Sequence, residues 1–438
     1  MFSNLLFLIF VFLIITLSPV NWDDSGWTDT PANAFWIGLF LYLTLLGLIY
    51  FQNYLLNRFF SRLRRRYKDV ILILVNSELV LFLCFFYFFL GAPRFLDSLG
   101  FQTLTIAFSL LLYFVGLAVF HISSHMPRGK SPSHIRIRGA HALRELQLIF
   151  PFTIPFIVLI VLSDILTHNL SHEQLDFLFN DNSAAGAFIA FAITILLMII
   201  MMIFLPFWIQ KIWQCKSLED SELKDHLDKI CNNIGFKHAG LKTWTVLDHV
   251  LTAAIIGIVP RYRYVMFSKR LLNEMPEPCI EAVLVHEIGH SYHRHLFLYP
   301  FIILGVSVLL GLISLITPPI SSMFLQFVVY AAVVALYFRI VFGFFSRLFE
   351  RQADLYVFAA GIHPQSLIDA LDKIGIATGN SHHDPNWHHY SIQERMDFLK
   401  AAMHNPKLIE KHHRHVKYVL IVYFILLSIG LVIVSGTI

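Results

Sequence analysis

Charge is what this sequence has least of. Only 14% of its 438 residues are charged, while 57% are hydrophobic and 15% aromatic, and mean hydropathy is +0.65. That excludes a soluble globular protein of ordinary composition, where about 25% of residues are charged. The net charge of +4 comes mostly from two short loops and gives no argument for a nucleic-acid partner. Cysteine is scarce as well. Cys84, Cys215, Cys231 and Cys279 are scattered with no Cys-x-x-Cys spacing, so they read as free thiols with a structural role. There is no internal repeat of solenoid length and no low-complexity tract. The nearest approach is a histidine-rich stretch, His382, His383, His388 and His389, followed by His412, His413 and His415.

What the chain has instead is long apolar runs. A membrane-crossing helix needs about 20 residues. Nine runs qualify, approximately Leu5–Val20, Ala34–Leu55, Val70–Gly91, Thr103–His121, Leu148–Ile165, Ala187–Ile209, Leu296–Ile316, Met323–Phe345 and Tyr418–Val434. The first is short with no preceding basic residue, so it reads either as a signal sequence or as a retained anchor. Pro19-Val20-Asn21-Trp22 offers no small-residue cleavage site, which favours the anchor. The loops then set orientation. Arg58, Arg62, Arg64, Arg65, Arg66 and Lys68 lie between the second and third spans, and Arg128, Lys130, Arg136, Arg138 and Arg144 between the fourth and fifth. Alternate loops carry Asp23, Asp24 and Asp29, then Arg94 with Asp97, then Glu173, Asp176 and Asp181. The positive-inside rule places the basic loops in the cytoplasm, and with them residues 210–295 and 346–417.

The expected protein is an α-helical, multi-pass integral membrane protein, in the plasma or inner membrane if bacterial. Residues 1–209 form an N-terminal transmembrane region of about six spans. A small cytoplasmic α+β domain, 210–295 and 346–417, is split by a transmembrane hairpin, 296–345, and a last span follows at 418–438. Ser221 to Ile234 has helical spacing closed by Gly235, and Lys242–Val246, Thr252–Val259 and Tyr262–Phe267 are strand candidates.

The chemistry lies in Val285-His286-Glu287-Ile288-Gly289-His290. Two histidines four residues apart share one helix face and can hold one metal ion, and the glutamate between them can reach the water that the metal activates. Glu277-Pro278 is a good helix start, and Ile280, Ala282, Val283, Leu284, Val285 and Ile288 give an apolar flank. Catalytic zinc needs three protein ligands and an open position. Glu350, in the segment returning from the hairpin, is the natural third. Asp354, one turn on, is placed to accept the free ring N–H of a ligating histidine. Taken alone, these acids would read as partners of Arg347 and Arg351 on a solvated face.

These residues resemble the membrane gluzincins, metallopeptidase family forty-eight, which comprises the CAAX prenyl endopeptidases, the heat-shock protease HtpX and their relatives. The resemblance rests on Ile280 to His290, on Ser346-Arg347 through Glu350 to Ala353-Asp354, and on His389-Tyr390-Ser391-Ile392-Gln393-Glu394-Arg395-Met396. It covers roughly Ser221 to Leu399 and implies a zincin-like fold, with His389 and Arg395 near the substrate carbonyl. Where the family has Asn-Ala in the strand that pairs with substrate, this chain has Thr252-Ala253. Tyr390 replaces the family's proline, and there are more spans than in either named relative.

The expected activity is therefore that of a zinc metalloendopeptidase. One Zn2+ per chain would be held by His286, His290 and Glu350, with Glu287 as general base. The substrate would be a peptide or membrane protein in or at the lipid bilayer, cut on the cytoplasmic side. Arg395 or His389 would stabilise the developing oxyanion. Prenylated-CAAX-type processing is one alternative, and a metal-handling transporter another. Transporters place their ligands at the bilayer midplane, whereas these histidines lie in loops or at span ends. An inactive scaffold fits poorly with an intact Glu287 and ligand set. Within the membrane, Glu78 either pairs with Arg339, or is protonated while Arg339 snorkels to the interface, or lines with Arg339 a wet cavity leading to the metal site. Nothing in the sequence sets the oligomeric state.

Overall fold

The computed structural model describes residues 2–17, 30–59, 67–99, 102–124, 132–171, 173–174, 184–316, 322–384, 387 and 389–436. The chain divides into two compact units, residues 1–190 with 319–332, and residues 191–318 with 333–438. Most charged loop residues used for orientation (Arg62 to Arg66, Arg128, Lys130, and the aspartates at 23, 24, 29, 176 and 181) lie outside the described residues.

The first unit is helical. Its main helices are Phe2–Thr16, Pro31–Phe59, Lys68–Cys84 (extended by a π turn, Phe85–Phe89), Gln102–Ser124, Pro132–Ile149 and Ile154–Asn169. Among the described residues, eight helices of the whole chain are long and apolar enough to cross a membrane, and they coincide with the second to ninth runs of the sequence. The first appears as the shorter apolar helix Asn4–Thr16, its expected end at residues 18–20 lying outside the described residues. Glu78 belongs to this unit, where it accepts a hydrogen bond from Gln52, 3.4 Å. Arg339, its expected partner, belongs to the other unit.

The second unit holds the sheet and the motif-bearing helices. Four strands, β1 (Lys216–Ser217), β2 (Gly240–Trp244), β3 (Ala253–Ile256) and β4 (Tyr264–Ser268), lie in the order β1-β2-β4-β3. β2 runs parallel to β4 and β3 antiparallel to it, so β3 forms an edge. Residues 216–217 add a strand that the sequence pattern, too short there to alternate, did not reveal. The helix Glu222–Ile234 starts where its chemistry dictates. The Ser221 side chain accepts from the Lys224 N–H, and Gly235, at φ +73, closes the last turn. Strand β3 stops at Ile256 rather than at residue 259. Gly257 follows at φ +95, where any Cβ would meet the Tyr262 carbonyl.

Two helices build the core around the motif. The metal helix, Glu277–Tyr292, has Glu277 and Pro278 in its first turn and buries Ala282 to His286 and Ile288 against the sheet and its neighbours. The helix returning from the hairpin runs Met323–Tyr337, passes through a π turn at Phe338–Phe342, and continues as Gly343–Ala359. It was expected to leave the apolar run at Phe345. It carries on because its far half is amphipathic, burying Phe349, Ala353, Leu355 and Val357 in the core. The C-terminal helix likewise begins at Lys407, before its apolar run. The metal helix and return helix approach closely at Gly289. A Cβ there would stand 2.8 Å from the Tyr356 Cβ and 3.0 Å from the Ala353 Cα. The glycine inside the His-Glu-x-x-His motif thus lets the helix of His286 and His290 touch the helix of Glu350.

Candidate metal centre

The close approach at Gly289 sets the return helix against the two histidines. The Glu350 carboxylate lies 3.8 Å from His286 Nε2 through one oxygen and 3.5 Å from His290 Nε2 through the other. One ligand atom from each of these residues falls within 4.8 Å of the others. Zinc bonds of 2.0–2.1 Å imply a tetrahedral edge of about 3.3 Å, close to these separations. Both ring nitrogens turned away from Glu350 face a second polar group at close range. His286 Nδ1 is 3.0 Å from Asp354 Oδ1, and His290 Nδ1 is 3.0 Å from His295 Nδ1. The Nε2 atoms are left facing the carboxylate, so the donor set fits a divalent cation such as zinc.

The acids do not pair with the arginines of their own helix. Arg347 donates to the Trp387 carbonyl, 2.5 Å, and the Arg351 guanidinium lies over the rings of Tyr390 and Phe398 at 3.9 and 4.1 Å. Arg395 takes that role from another helix. Its Nε and Nη2 fork onto the two oxygens of Asp354 at 2.9 and 2.6 Å, and Nη1 is 3.5 Å from Glu350. The Ser391–Glu394 capping box that opens helix Ile392–His404 fixes Arg395 in its first turn. His389, just before that helix, brings Nδ1 to 3.3 Å from Glu350. His389 and Arg395 therefore stand at the same carboxylate, and two of the three guanidinium nitrogens of Arg395 bond to Asp354.

Burial and charge tune these groups in opposite directions. Burial pushes Glu287 up to about 7, and the backbone of Ile255 hydrogen-bonds to it. Burial lowers His290 to about 4, keeping it neutral, as a metal ligand must be. For His286 burial pulls the same way, but the Asp354 carboxylate outweighs it and raises the pKa. Burial likewise opposes the charge on Arg395, and Asp354 more than restores it.

The edge strand runs beside Glu287. The Ser268 N–H donates to the Thr252 carbonyl, 3.0 Å, and the Thr252 N–H to Ser268 Oγ, 3.3 Å. Thr252 thus faces β4, and the alternation of an antiparallel ladder turns the backbone of Ala253 and Ile255 to the open edge. Of the expected substrate-pairing residues, Ala253 presents its backbone there and Thr252 does not.

Sequence reasoning missed three residues around the site. His295 is fully buried, Gln352 is buried, and His413 lies near the start of the C-terminal helix. They form one hydrogen-bonded series behind His290. Gln352 and His413 stand 57 and 61 residues from the partners they bond, so no local pattern reveals the series.

Residues 217–403 match the model of peptidase family M48. No curated protein matches the sequence. Among solved structures, the crystal structure of Ste24p from S. mikatae is similar at 17% sequence identity and a TM-score of 0.41, over 83% of this chain and 98% of that one.

Proposed function

We propose that this chain, a multi-pass membrane protein whose residues 217–403 belong to peptidase family M48, is a zinc endopeptidase that cuts membrane or membrane-associated proteins on the cytoplasmic side. The observation that carries the reading is the meeting of His286, His290 and Glu350 beside a half-buried Glu287. Family M48 is zinc-dependent, and zinc in this donor set would polarise a peptide carbonyl and make water a nucleophile near neutral pH.

The protein's own groups do the rest. An extended peptide adds to the open edge of β3, hydrogen-bonding to the Ala253 backbone and the Ile255 carbonyl. Its scissile carbonyl then lies over the metal helix. Glu287 takes a proton from the attacking water and delivers it to the leaving amine, and a carboxyl with its pKa near 7 suits both transfers. His389 donates to the oxyanion. Arg395 holds Asp354 and Glu350 in place, and its Nη1 adds positive charge nearby. The cytoplasmic orientation rests on the basic loops.

The test is a Glu287→Gln trap isolated from membranes, with identification of the proteins that stay bound. Membrane proteins with extended cytoplasmic segments are the expected catch, released by wild type as cut fragments. If those proteins remain uncut when incubated with zinc-loaded wild type, the endopeptidase reading is wrong.

A further inference from the structure

His290 needs a bare Nε2 to bind a cation, so its proton must sit on Nδ1. That proton must go to an acceptor. The nearest partner is not a carboxylate or a carbonyl but a second imidazole, His295 Nδ1, at 3.0 Å. An imidazole accepts at one nitrogen only if it carries its proton on the other. His295 Nε2 lies 3.1 Å from Gln352 Oε1, and Gln352 Nε2 lies 3.1 Å from His413 Nδ1. The series therefore has one polarity that works. His290 Nδ1–H donates to His295 Nδ1, His295 Nε2–H donates to Gln352 Oε1, and the Gln352 amide N–H donates to His413 Nδ1. Turn the Gln352 amide end for end and every donor reverses. His290 would then accept at Nδ1, carry its proton on Nε2, and lose the lone pair that a metal requires.

We infer that His295 is a positioning residue for the metal ligand His290, and that Gln352 and His413 set its tautomer. The series would tie the zinc centre to the C-terminal membrane span. Two features of the fold serve this role. Arg294, at φ +59, breaks the chain between the metal helix and the membrane helix His295–Ile316, setting His295 back alongside His290. The His295 ring then lies parallel to Phe349, with centroids 4.2 Å apart and planes 9° apart. With no exposure to water, its two nitrogens meet, among the described residues, the polar partners named here. Burying an imidazole in such surroundings is costly unless both nitrogens are matched. His286 has a carboxylate behind it and His290 a neutral relay, so the two ligands are held by different means.

The inference rests on the zinc reading of the site, and the experiment separates the two. Zinc affinity is measured by chelator competition on the purified full-length protein, for wild type, Glu350→Ala, His295→Phe, His295→Asn, Gln352→Met and Gln352→Glu. If wild type and Glu350→Ala hold zinc equally, the zinc site itself is wrong. If wild type binds tightly and Glu350→Ala does not, His295→Phe, which keeps the stack on Phe349 but accepts nothing, should weaken binding about 10–100-fold. His295→Asn, whose amide oxygen can accept the His290 proton, should recover part of that loss. Gln352→Met should weaken binding in the same direction. Gln352→Glu, still an acceptor toward His295, should stay near wild type. Wild-type affinity in His295→Phe, or equal loss in both Gln352 variants, overturns the inference. Should His295→Phe fail to fold, the Gln352 pair decides, since neither variant touches the ligand.

Discussion

The two units of this chain bury polar side chains for different ends, and the contrast shows how a site can be told from a scaffold. In the first unit the buried polar groups are mostly neutral and tied pairwise. Asn76 donates to Asn4 at 3.2 Å and accepts from Tyr113 at 2.6 Å, and Tyr87 shares a 2.6 Å hydrogen bond with Ser109. Such bonds satisfy groups that lipid cannot, and they fix helix to helix. In the second unit they are ionisable and crowded, with Glu350 facing His286, His290, His389 and Arg395 at once. Removing a member of the first kind should cost stability and spare the chemistry. Removing one of the second should cost chemistry first.

The sharpest break in that comparison is Glu350→Ala. It removes a proposed ligand and leaves Arg395 and His389 without a carboxylate they share, so zinc content and peptidase activity should both fall to background. Metal analysis beside an assay on an unfolded membrane substrate reads both, and full zinc content in the variant would take Glu350 out of the site. Next comes Glu287→Gln, which leaves His286, His290 and Glu350 in place. Zinc should stay at about one per chain, while turnover falls about 10²–10⁴-fold for loss of the proton carrier. Unchanged cleavage would end the general-base assignment.

Arg395→Ala tests whether a buried charge can be part of a scaffold. Because the guanidinium forks onto Asp354, its removal strands a carboxylate behind His286 at a cost of about 3–5 kcal/mol. Zinc affinity should drop along with turnover, whereas a group meeting only the reacting carbonyl would lower turnover alone. Titrating zinc into the variant distinguishes these outcomes.

How much of this was legible in the sequence follows from the reach of each signal. Apolar length marks spans well, so the second to ninth runs reappear as helices. It marks their ends poorly, because the helix ending at Ala359 and the one starting at Lys407 leave the apolar run on amphipathic faces. The spacing of His286 and His290 is local and was plain. Glu350 could be reached only through the chain's return from the hairpin, and the family resemblance was needed for His389 and Arg395. His295 lies five residues past His290, off that helix's periodicity. A left-handed Arg294, which no composition rule foretells, brings its ring back.

Gly289→Ala carries the comparison into the backbone. The added methyl meets the Tyr356 Cβ and the Ala353 backbone, so the helices must part by a few tenths of an ångström. Overpacking of this kind costs about 1–3 kcal/mol. Since Glu350 rides on the displaced helix, zinc affinity should fall with stability. A variant with lower thermal stability but wild-type zinc affinity would show that the helix contact is structural alone.

The smallest effect is expected from Asn76 in the first unit. Its amide is fully buried and joins Asn4, Tyr113 and the Leu72 carbonyl. Asn76→Leu removes a bond from each of two polar side chains, but neutral hydrogen bonds between membrane helices average only about 0.6 kcal/mol, at most about 1.7. Unfolding in detergent should shift by about that much, with zinc content and turnover unchanged. A double cycle with Tyr113→Phe isolates the 2.6 Å bond. Coupling of about 0.6 kcal/mol is the expected value for such a pair. Zero coupling would mean that the Tyr113 bond adds nothing, leaving Asn4 and the Leu72 carbonyl to hold the amide. A loss of zinc from either single variant would break the distinction between the two units.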